Sequence, residues 1–92
     1  MIFSLEDSNL VIRALDLLRA ELLVIRNEVP PQLFKRIESV KNRFRLGVSG
    51  FTVQELDTAC VALETLLESE PMNWAASQLL SRLQSYLQSF RS

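Results

Sequence analysis

Between Leu10 and Val29 the chain carries more apolar side chains than a helix with one buried face needs. Val11, Leu15, Leu18, Leu22, Ile25 and Val29 recur at alternating spacings of four and three, a heptad seam. Leu10, Leu17 and Val24 form a second row about 100° around the helix, and Ile12 and Leu23 add a third. A surface helix shows one apolar stripe, whereas a helix that is apolar most of the way round is buried. The first helix is therefore expected to lie at the centre of its own chain or to be covered by a second one. Glu21 and Glu28 interleave with the Leu10–Leu17–Val24 row, which marks that row as a rim or partner surface.

Glycine and proline punctuate the rest. Pro30-Pro31 ends the first helix, because a proline biases the residue before it away from helix and donates no amide hydrogen. Gly47 fits a left-handed stop, with Lys41, Arg43 and Arg45 in the preceding turns where the helix dipole favours cations. Thr52-Val53-Gln54-Glu55 reads as a capping box, Ser4-Leu5-Glu6-Asp7 as a weaker start, and Pro71 as a first-turn proline of the last helix. No segment alternates like a strand. The pattern predicts helices over about 5–28, 31–46, 53–69 and 72–90, in a single domain of residues 1–92. The later seams are Leu33, Ile37, Val40 and Phe44; Val53, Leu56, Cys60, Leu63 and Leu67; and Ala76, Leu79, Leu83, Tyr86 and Phe90. Short connections favour antiparallel neighbours, so the expected fold is all-α, a small up-and-down antiparallel bundle of four helices with a long first helix. That helix would outrun the second by about two turns, a further reason to expect another chain against it.

Composition narrows the chemistry. There is no histidine, which removes the commonest general base and transition-metal ligand. Cys60 is the only cysteine, so no internal disulfide or thiolate cluster can form. The formal charge of −1 lacks the basic excess of a dedicated nucleic-acid or membrane-surface protein. Charged residues interrupt every apolar run, and the N-terminus turns acidic without a basic region, so neither a membrane span nor a signal peptide is expected. The expected setting is cytoplasmic.

Several residue groups invite a functional reading. Lys35, Arg36, Lys41, Arg43 and Arg45 make the second helix basic, with Phe34 and Phe44 between them. On a helical wheel these cations flank the apolar seam on both sides and form no single stripe. That suits pairing with acids of neighbouring helices, such as Glu55, Asp57, Glu64, Glu68 and Glu70, better than a nucleic-acid face. Glu64 and Glu68 lack the histidines of a di-iron bundle and read as a solvated acidic face. Cys60 lies in an apolar seam and reads as structural. Ser77, Ser81, Ser85 and Ser89 repeat every fourth residue, as a solvent face or a close helix contact. Met72 and Trp74 are expected to cap one end of the core or to anchor a partner. Leu63–Leu67 followed by Pro71–Ala76 resembles the junction between two tetratricopeptide units; the pattern occurs once, so no family function is carried over.

These readings converge on a non-enzymatic interaction or scaffold module without cofactor or metal. It is expected to form a homodimer or bind another protein through Leu10, Ile12, Leu17, Leu23 and Val24 of the first helix. The alternative is a nucleic-acid-associated regulator using the basic second helix.

Overall fold

The structure is a computed structural model, described here for residues 3–47 and 50–91, with no side-chain description at Arg91. Four α-helices account for its regular structure together with one 3₁₀ turn, and no strand occurs among the described residues. They are α1 (Leu5–Val24), α2 (Pro31–Leu46), α3 (Val53–Ser69) and α4 (Trp74–Arg91), with the 3₁₀ turn at Arg26–Glu28. The radius of gyration, 12.7 Å, is near the ~12 Å expected for a compact chain of this length.

Side-chain caps start three of the helices. Ser4 accepts from the Asp7 amide at 3.0 Å, and Asp7 accepts from the Ser4 amide at 3.2 Å. Thr52 and Glu55 form the same reciprocal pair at 3.1 and 2.8 Å. Asn73 caps α4 by accepting from the Ala76 amide at 3.0 Å, so Pro71 lies in the turn before the helix and not in its first turn. Gly47 ends α2 at φ 71°, in the left-handed region. Val48 and Ser49 of the loop that follows lie outside the described residues.

The first helix stops at Val24, short of the expected position 28. In a continued helix the Pro30 ring would meet the carbonyl of Arg26, and Val29 must extend before a proline. Residues 26–28 accordingly tighten into a 3₁₀ turn, and Val29 is extended at φ −111°, ψ 128°. With α1 at 20 residues and α2 at 16, the expected excess of two turns falls to about one.

The helices form two hairpins. Asp16 pairs with Lys41 at 2.7 Å and Arg19 with Glu38 at 3.3 Å, so three residues forward on α1 match three residues back on α2. That register is antiparallel. In the second hairpin Asp57 and Glu64 of α3 share a groove with Gln84 and Gln88 of α4. The hairpins are joined by Arg43–Glu55 at the start of α3, Arg13–Glu70 at its end and Asp7–Arg82 on α4. The helix contacts fit a bundle, with α3 passing from α2 across α1 and α4 returning beside it.

The most enclosed helix is α3, not α1. Leu56, Thr58, Ala59, Cys60, Ala62, Leu63, Thr65 and Leu66 are buried, against Val11, Ala14, Leu15 and Leu18 on α1. Two threonines are admitted because each hydroxyl donates to a carbonyl one turn back, Thr58 to Gln54 at 2.9 Å and Thr65 to Val61 at 3.1 Å. On α4 the buried line is Ala76, Leu79, Leu83 and Leu87; Tyr86 is half-buried and Phe90 exposed. From Leu79 onward this line advances in steps of four, the ridge that packs into a crossing helix, whereas a heptad seam needs a nearly parallel neighbour.

Candidate functional site

The three apolar rows of α1 have separate destinations. Around the helix axis, Ile12 and Leu23 fall between Arg19 and Asp16. Both of those charged residues pair with α2, so this flank faces α2. Leu10, Leu17 and Val24 fall on the other side of Leu18, next to Arg13, which reaches Glu70 at the end of α3. Leu10, Ile12 and Leu17 are half-buried against the chain's own core.

The last turn runs past this cover. Leu23 is 41%, Val24 84% and Ile25 47% exposed. Val24 lies about 16 Å along the axis from the level of Arg13, beyond the reach of the end of α3. A helix termination imposed by Pro30 thus leaves three consecutive large apolar residues in water. Near the end of α1 a groove of about 400 Å³ opens between α1, α2 and α3. Leu18, Leu22, Leu33, Thr58 and Val61 line it, with Arg36, Gln54 and Asp57 at its polar edge. Val61 is half exposed there. The three residues fan around the axis in steps of about 100°, and Val24, about 200° from groove-lining Leu22, points away from the groove. A concave apolar surface with exposed apolar residues around it is the form of a docking site.

The five cations of α2 separate. Lys41 is drawn to Asp16 of α1. Arg43 lies 2.5 Å from Glu55, donates through its terminal nitrogen to the Gly50 carbonyl, and sits 5.5 Å from the Phe51 ring centre. Its Nε–H points off the line to Glu55, so that contact is an ion pair without a formed hydrogen bond. Lys35, Arg36 and Arg45 are exposed. The sequence points to α3 for the acids that pair with these cations; Glu55 is one, but α1 supplies the other.

The remaining candidates are placed as follows. Cys60 is buried. Glu64 and Glu68 are exposed, and no group of three His, Cys, Asp or Glu side chains is arranged to hold a metal among the described residues. Ser77, Ser81, Ser85 and Ser89 are all exposed, so their ridge is a solvent face and not a close helix contact. Met72 and Trp74 are 77% and 71% exposed and cap no core. Among the described residues no helix is long and apolar enough to cross a membrane.

A cluster absent from the sequence reading closes the opposite end of the α1–α2 pair. Phe3 and Phe51 each precede a helix cap, and both converge on Phe44 near the end of α2. Phe3 meets Phe44 and Phe51 edge-on at 5.0 and 5.3 Å, and Phe44 stacks on Phe51 at 4.5 Å. Phe51 just before the Thr52 cap, with Leu56 at the fourth helical position, is the signature of a hydrophobic staple and could have been found; Phe3 has Ser8 at that position and carries no such signal.

Comparison of the chain with protein-family models, curated proteins and solved structures gives no match.

Proposed function

We propose that this chain is a non-enzymatic protein-interaction module that docks through the end of α1 and the groove beside it. The observation that carries the reading is the exposure of Leu23, Val24 and Ile25 at an end of α1 whose Leu18 and Leu22 line an apolar groove. Of the five residues assigned to an interface on sequence grounds, Val24 is largely exposed and Leu23 partly so, while Leu10, Ile12 and Leu17 already pack on the core. Three exposed side chains at ~1.5–3 kcal/mol each stand against association costs of ~4–15 kcal/mol. A partner must therefore also enter the groove, where Leu18, Leu22, Leu33 and Val61 add apolar surface. A homodimer is the first form such docking takes among soluble proteins.

Nucleic-acid contact through α2 is the lesser reading, because Lys41 and Arg43 are engaged within the chain and the three other cations form no stripe. The deciding experiment replaces Val24 by a photo-crosslinking amino acid in the protein as expressed in cells. Ser81, exposed on α4, serves as control. Protein adducts are expected at position 24 and not at position 81. Equal yields at both positions, or none at 24, would remove the docking reading. Salt-sensitive binding to RNA or DNA that Arg36→Glu abolishes would favour the alternative.

A further inference from the structure

We draw no further inference here: the strongest candidate, the apolar groove between α1, α2 and α3 with the exposed end of α1 around it, belongs to the site already described, and nothing in the structure shows what covers it.

Discussion

At the scale of single residues, small and polar side chains decide as much of this core as the large apolar ones. Ala14, Ala59, Ala62 and Ala76 have no exposed surface, so nothing around them has room for added carbon. Ala14→Leu is expected to cost about 1–3 kcal/mol in urea denaturation, as overpacked cores do, while Ser81→Ala on the solvent face should stay within about 0.5 kcal/mol. Gly47 tests backbone strain alone. A Cβ there meets nothing within 4 Å, yet φ is 71°, so Gly47→Ala should destabilise by about 1–2 kcal/mol through conformation and not through a clash. The seam residues Val11, Leu15, Leu18, Ile37, Val40 and Phe44 were legible because large apolar side chains at helical spacing have few alternatives to burial. Ala14, Thr58 and Thr65 were not. An alanine suits either side of a helix, and a threonine enters a core only once its hydroxyl has a carbonyl to meet.

At the scale of elements, ends carried more information than middles. The Thr52–Glu55 box and the Gly47 stop were readable because each rests on atoms within one turn of chain. Thr52→Ala should lower stability by about 0.5–2 kcal/mol, measurable as a shift in the denaturation midpoint. The α1 terminus was misplaced because heptad spacing continues through Ile25 and Val29 while backbone sterics before Pro30 do not allow the helix to follow it. The same sterics produce the exposed α1 surface. The phenylalanine cluster links elements, so truncating it should act on more than one. Phe44→Ala, at a residue 2% exposed, is expected to cost about 3–5 kcal/mol and to loosen the starts of both α1 and α3, read as faster amide exchange near Ser8 and Leu56.

At the scale of the whole molecule, α3 is the element on which the others close. It is buried on several sides, meets α2 at its start and α1 at its end, and has α4 along one flank. Local opening follows the density of buried contacts. Native-state hydrogen exchange should therefore be slowest at the centre of α3, around Ala59 to Leu66, and fast through the Arg26–Glu28 turn. Slowest exchange in α1 would contradict this assignment of the centre. Gln54, Asp57, Thr58 and Val61 of α3 form one wall of the groove, so the site is a product of how the hairpins cross and belongs to no single helix.

What the sequence determined alone was local or periodic: four helices, most of their caps, the main seams, and a first helix with more apolar rows than one interface needs. Which rows a neighbour would cover depended on how far each neighbour extends along α1, and that is a tertiary quantity. Ile12 falls on the flank that α2 lines, and Leu10 and Leu17 on the flank that leads to the end of α3, whereas Val24 lies past both. A wheel records the direction of a side chain around its helix axis, but burial also requires a second element at the same height. The crossing of two hairpins set that height, and so decided that, of the three apolar rows of α1, only the members at its end, Leu23 and Val24, stay exposed.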